Sequence, residues 1–326
     1  MRAIVAGILL VAAEGRAFDL CLPTANNALL KPGGDAEFFQ PTLEGTVESG
    51  MFGCVRNDGR KFHEGVDIKC LKRDRRGEPL DPVHAVSDGR VAFINTKPGN
   101  SNYGRYVVLE HNWDGIQVFT LYAHLRAIAD GLVIGQDVKK AHVLGTLGHS
   151  TNTRDRIPAE RAHLHFEINF MLNTNFRLWY PKRDPDAPPF GNFNGQNFIG
   201  IDPAAVLRAY AANSKLNFAD YMARQPVAFT VVVPARPYSW LALHPEQLPA
   251  RVVADGAYEL SVTGYGLPVR IESAADTGGS RRPALRMVKA AELARTNCRG
   301  LVRQGKRGWE LSQRGREWLE ILTYVP

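Results

Sequence analysis

Two of the chain's histidines sit two residues apart, in Ala162-His163-Leu164-His165-Phe166-Glu167-Ile168. Polar and apolar residues alternate there, the pattern of a half-buried β-strand. Side chains at i and i+2 of a strand share a face, so His163 and His165 project side by side. Neutral imidazole is among the commonest zinc ligands, and two on one face make the start of a zinc site. The pair alone describes equally well a surface strand that carries two histidines.

A second chemical segment lies upstream, Lys61-Phe62-His63-Glu64-Gly65-Val66-Asp67-Ile68. His63 and Asp67 are four apart, a spacing that suits one face of a helix or of a strand. Gly65, Val66 and Ile68 favour a strand or extended loop. His63, Asp67 and one histidine of the later pair supply three nitrogen and oxygen ligands. A catalytic zinc keeps three protein ligands and leaves the fourth position to water. Between the two segments lies Leu121-Tyr122-Ala123-His124-Leu125, strand-like and again with a histidine. Glu64 is no general base of the H-E-x-x-H kind, because Asp67 stands where the second histidine belongs and Gly65 disfavours a helix.

Taken in order, these segments resemble the lysostaphin-type (LytM-type) peptidoglycan zinc metalloendopeptidases. The resemblance rests on His63-Glu64-Gly65-Val66-Asp67, Tyr122-Ala123-His124-Leu125 and His163-Leu164-His165-Phe166-Glu167, and covers roughly residues 40–210. It implies zinc held by His63, Asp67 and His165, with His124 and His163 as catalytic residues. Strand geometry by itself leaves either histidine of the pair as the ligand. In such a site the metal polarises a carbonyl and lowers the pKa of bound water, and an imidazole acts as general base. One departure from the family pattern is an insert, Asn152 to Arg161, just before the histidine pair. His84, His111, His142, His149 and His244 lie outside the matched positions and read as surface or hydrogen-bonding residues.

The elements that must position these residues are short and β-like. Arg90–Ile94, Tyr106–Glu110, Gln117–His124, Val143–Leu147 and His163–Phe170 read as strands, separated by Gly- and Asn-rich turns. The expected fold is mainly β: an antiparallel β-sheet peptidase domain with loop insertions, plus a smaller mixed α/β C-terminal region. Asp202-Pro203 is an N-cap with proline at the first helical position, opening a helix to about Tyr210 or Ala212. Val227–Val233, Tyr258–Thr263 and Val269–Glu272 read as strands of the C-terminal region, and Pro283–Thr296 as a helix. The tail reads as a hairpin over residues 301–312 and a helix Gln313–Leu322 capped by Ser312. That order is similar to a winged-helix tail, but an exported chain argues against a nucleic-acid partner.

Export is read from residues 1–17, where Met1-Arg2 precedes an apolar run from Ala3 to Ala13 and small residues near Ala17. The run is too short to span a bilayer, and no later stretch is long enough to do so. The chain thus divides into a signal peptide at 1–17, an extension at 18–40, the peptidase domain at 41–213 and the C-terminal region at 214–326. Net charge is +7, and losing Arg2, Glu14 and Arg16 with the signal leaves +6. A basic exported protein suits an anionic wall surface, which makes peptidoglycan the expected partner and the periplasm or exterior the expected location. Four cysteines in an exported chain suggest two disulfides. Cys54 with Cys70 would close a loop of about 17 residues around His63 and Asp67, worth roughly 3 kcal/mol, leaving Cys21 to pair with Cys298.

The expected activity is hydrolysis of a peptide bond in peptidoglycan, with the D,D cross-link between stem peptides preferred to a glycine bridge. Glycoside cleavage usually needs two flanking carboxylates, which this residue set does not supply. Two other classes compete: a catalytically silent relative that binds the wall or activates amidases, and a scaffold with incidental zinc. Filled ligand positions weigh against the first, and the presence of His124 and His163 against the second.

Overall fold

The computed structural model describes residues 18–186, 190–247, 256–274 and 283–326. The expected signal segment, residues 1–17, lies outside them. No helix among the described residues is long and apolar enough to cross a membrane.

Valine, isoleucine and aromatic residues alternating with polar ones build a seven-stranded sheet. Its path runs from Phe198–Ile201 through His163–Met171, Ile116–Leu125, Arg105–Trp113 and Gly89–Asn95 to Asp137–Val138. Neighbours pair antiparallel throughout. Val66–Lys69 joins off this path and shares one edge of His163–Met171 with Phe198–Ile201. The sequence-predicted strands of this region are therefore present, each within a few residues of its expected bounds.

The His163–Met171 strand is buried along its whole length, which corrects the half-buried expectation. Its apolar face enters the core through Leu164, Phe166, Ile168 and Phe170. Its polar face is roofed by loops that alternation within one strand says nothing about. The helix Pro203–Ala212 starts as expected, with the Asp202 side chain accepting from the backbone N–H groups of Ala204 and Ala205.

In the C-terminal region four antiparallel strands run in the order Pro268–Ala274, Ala257–Val262, Phe229–Pro234, Ala284–Val288. The expected helix over Pro283–Thr296 is instead that last strand followed by a short helix, Ala290–Ala294. Ala, Leu, Arg and Met favour helix, but pairing with Phe229–Pro234 outweighs a weak local preference. The hairpin Val302–Gly305/Gly308–Leu311 and the helix Gln313–Thr323, capped by the Ser312 hydroxyl, form as predicted.

The two regions share one hydrophobic cluster. Tyr265 packs on Phe52 and Phe62, and Trp240 on Phe170. Asn173 donates to the carbonyls of Ile321 and Tyr324, 2.8 Å each. Cys54 is joined to Cys298. The expected pairs Cys54–Cys70 and Cys21–Cys298 are absent, and Cys21 and Cys70 are free thiols. The extended Val66–Lys69 strand carries Cys70 away from the hairpin at about 3.3 Å per residue. There its thiol donates to Asp81 Oδ2, 2.9 Å, and burial raises its pKa to about 11, helped by that carboxylate.

Candidate metal centre

Strand register brings the first ligands together. Asp67 lies directly opposite His165 in the Val66–Lys69/His163–Met171 pair, and Ala123 faces His165 from the other side. His63 closes the hairpin Gly53–Arg56/Lys61–His63 opposite Gly53. Gly65 lets the turn between His63 and Asp67 lie against the catalytic strand, since a Cβ there would fall 2.3 Å from the Phe166 carbonyl oxygen.

The donor atoms converge. His63 Nε2 is 3.2 Å from Asp67 Oδ1 and 3.1 Å from His165 Nδ1, and His165 Nδ1 is 3.0 Å from Asp67 Oδ1. Among the described residues, His63, Asp67 and His165 form the one cluster of metal-capable groups with all donor atoms within 4.8 Å of one another. Each ring is turned by a partner on its far side. His63 Nδ1 donates to the Met51 carbonyl, 2.7 Å, leaving the Nε2 lone pair facing inward. His165 Nε2 bonds Glu167 Oε1, 2.7 Å, leaving Nδ1 inward. Glu167 is fixed in turn by Tyr103 Oη, 2.7 Å, and Asn169 Nδ2, 2.6 Å. Carboxylate support behind a ligating imidazole is the usual outer shell of a metal site. Three buried nitrogen and oxygen donors so arranged fit a divalent ion of the zinc type.

His163 and His124 stand alongside. His163 Nδ1 bonds the Arg161 carbonyl, 2.7 Å, and its Nε2 reaches to 3.5 Å from Asp67 Oδ1. His124 Nδ1 bonds the Ser150 carbonyl, 2.9 Å, and the two rings meet edge to face at 4.9 Å. Burial lowers the pKa of His63, His124 and His163, so these rings are neutral near pH 7. Burial alone would raise the Asp67 pKa, but His63, His163 and Arg56 hold it well below the usual carboxylate range.

Arg56 is a site residue that no sequence motif announced. Its Nη2 lies 2.5 Å from Asp67 Oδ2 and 2.9 Å from His63 Nε2, while Nε donates to the Ser49 carbonyl. Tyr103 and Glu167 were equally silent in role: Tyr103 lies in a turn-like Ser-Asn-Tyr-Gly run, and Glu167 was part of a motif without a function. Among the histidines given no site role, His111, His84 and His149 are hydrogen-bonded as expected. His244 is fully buried, packed on Trp240 and Phe170.

The centre opens into a broad cleft. Insert residues Asp155, Arg156 and Arg161 line one part of it, and Arg299, Arg314 and Trp318 of the C-terminal region another. Among the described residues, none of 18–40 lines it.

The model of peptidase family M23 matches residues 61–175, a span that holds every residue of this cluster. Those residues are an M23 peptidase domain. No curated protein sequence matches the chain. Among solved structures, the domain is similar to a zinc-containing peptidase from Vibrio cholerae at 28% identity and TM-score 0.25, covering 33% of this chain and 26% of that one. It is similar to the catalytic domain of the antimicrobial peptidase lysostaphin from Staphylococcus simulans at 23% identity and TM-score 0.29, covering 49% and 87%. Csd3 of Helicobacter pylori aligns at 23% identity and TM-score 0.30, covering 63% and 42%. The chain thus spans only about a quarter of the Vibrio protein's length. What marks residues 61–175 as M23 is the family model together with the intact His63, Asp67 and His165 donor set.

Proposed function

We propose that this protein is an exported zinc metalloendopeptidase that hydrolyses peptide bonds of peptidoglycan, the D,D cross-link between stem peptides being the bond cut. The observation that carries the reading is the set of oriented imidazoles. Three donors face one point, and two further neutral rings stand beside it without belonging to the donor set. A purely structural metal site has no use for the second pair.

His63, Asp67 and His165 would hold the zinc, which when bound supplies Lewis acidity for a substrate carbonyl and for water. His163 and His124 present Nε2 towards the cleft, because each spends Nδ1 on a carbonyl. A neutral imidazole in that position takes the proton from an attacking water and returns it to the leaving amine. While it holds that proton the ring is a cation, and it steadies the negative charge that develops on the carbonyl oxygen. The carboxylates at the centre itself, Asp67 and Glu167, are both buried and bonded to histidine, which does not suit them to the paired acid and base roles of glycoside cleavage. The cleft is basic around Arg56 and Arg161, which suits an anionic wall polymer, and the Cys54–Cys298 bond suits an oxidising compartment.

Purified cross-linked dimer muropeptide should be converted to monomers by the zinc-loaded protein. His124→Ala and His163→Ala should retain zinc and lose turnover. Cleavage of pentaglycine with untouched dimers would move the bond and keep the enzyme class. Failure to cut either would support a silent wall-binding or amidase-activating relative.

A further inference from the structure

Arg299 is among the side chains that the C-terminal region contributes to the cleft wall, with Arg314 and Trp318. It follows Cys298 in the short turn Asn297–Arg299, and the bond to Cys54 fixes that turn against the hairpin bearing His63. The guanidinium lies over the Phe62 ring, 5.0 Å from its centroid, and Nε donates to the Tyr265 carbonyl, 3.3 Å. Tyr265 packs in turn on Phe52 and Phe62, so an aromatic bed holds the arginine in place.

The rest of the side chain faces the cleft, in whose wall it stands with Glu64, Tyr103 and His165. Among the described residues the carboxylate paired with it is Glu64, with Oε1 at 3.9 Å from Nη1, the outer limit of an ion pair. Glu64 is itself 47% exposed and neighbours a metal ligand, whereas Arg299 is only 27% exposed. Burial works against the arginine's charge, and Glu64 offsets part of that. A desolvated guanidinium without a close, bidentate anion is a poor structural ion pair and a good receptor for one.

We propose that Arg299 is a carboxylate-binding subsite of the catalytic cleft, and that the C-terminal region thereby selects peptide substrates carrying a free carboxylate near the bond to be cut. This rests on the hydrolase reading above and narrows it to anionic peptides, which peptidoglycan stem peptides are. The planar fork of arginine matches a carboxylate with two parallel hydrogen bonds. The aromatic bed keeps that fork oriented before the substrate arrives, so little side-chain freedom is lost on binding.

The test is calorimetric binding of an uncross-linked stem tetrapeptide with free carboxylates, and of the same peptide amidated, to the full disulfide-bonded protein. Wild type should prefer the carboxylate form roughly ten- to hundredfold, the usual worth of a charged hydrogen bond. Arg299→Gln should erase the preference, and Arg299→Lys should restore part of it. Zinc content and melting temperature of each variant separate a lost subsite from a damaged fold. Should Arg299→Gln fail to fold, Arg299→Lys decides, because it keeps the charge and loses the fork and should lower the preference severalfold. Equal affinity of wild type for both peptides, or a preference that survives Arg299→Gln, overturns the subsite. A wild type that shows the preference yet cuts no cross-link sinks the hydrolase reading and leaves the subsite standing.

Discussion

The His163–Met171 strand and the Gly53–Arg56/Lys61–His63 hairpin hold the two halves of the metal centre by different means. On the strand, position follows from hydrogen-bond register: Asp67 faces His165 because neighbouring strands pair there, and both are locked into the main sheet. The hairpin forms a separate two-stranded sheet. It is placed by two contacts from far along the chain, the Cys54–Cys298 bond and Tyr265 against Phe62, and by the nearer one of Arg56 on Asp67. One half is built into the core, and the other is fastened onto it.

The sharpest break in this comparison comes from the ligands themselves. Asp67→Ala and His165→Ala remove strand-borne donors, and His63→Ala the hairpin-borne one. All three should lose bound zinc, read by metal analysis, and all detectable hydrolysis. If His165→Ala keeps its zinc while His163→Ala loses it, the roles within the pair are reversed.

Next comes the fastening. Cys54→Ser with Cys298→Ser should cost about 2–5 kcal/mol of stability, the usual range for a native disulfide. Zinc affinity should fall with it, because the hairpin carries His63. Thermal melts and chelator competition on the double variant measure both. Unchanged zinc affinity would mean that the hairpin stays in place without its bond.

A smaller effect sharpens the strand half. Glu167→Gln leaves the three ligands in place and weakens the support behind His165. Zinc affinity should drop about ten- to hundredfold, as for other outer-shell carboxylates. An unchanged dissociation constant would show that strand register alone orients the imidazole.

Near neutral pH the smallest effect concerns the grip of the C-terminal region on the strand. Burial lowers the His244 pKa to about 3, so the folded protein keeps this ring neutral between Trp240 and Phe170. The unfolded chain protonates it near pH 6.5. Its neutral burial therefore contributes fully above that pH, and stability falls as pH drops below it. The slope is at most about 1.4 kcal/mol per pH unit, continuing to about pH 3. His244→Leu should flatten that part of a stability–pH curve measured by urea unfolding. An identical acid slope in the variant would remove His244 as its cause.

The strand half was readable because it is local. Alternation in residues 162–168 places His163 and His165 on one face, and the ordered family motifs put His63 and Asp67 together with them. The helix caps at Asp202 and Ser312 were legible for the same reason, since each acts on residues two or three positions away. The hairpin half was not. Cys54 and Cys298 are 244 residues apart, and nothing in the spacing of four cysteines says which pair meets. Full burial of the catalytic strand depends on covering loops, and the Ala284–Val288 strand on an edge offered by Phe229–Pro234. Arg56, Tyr103 and Arg299 carry no motif, because their work lies in what tertiary packing puts beside them.

The Cys54–Cys298 bond also sets an order of events. In a chain made from its N-terminus, Cys54 emerges with the ligands His63 and Asp67, while its partner follows 244 residues later. Sheet, register and His165 can all be in place while the hairpin still waits for that partner. The bond that fastens the hairpin bearing His63 thus cannot form in a nascent chain before the segment around Cys298 has emerged.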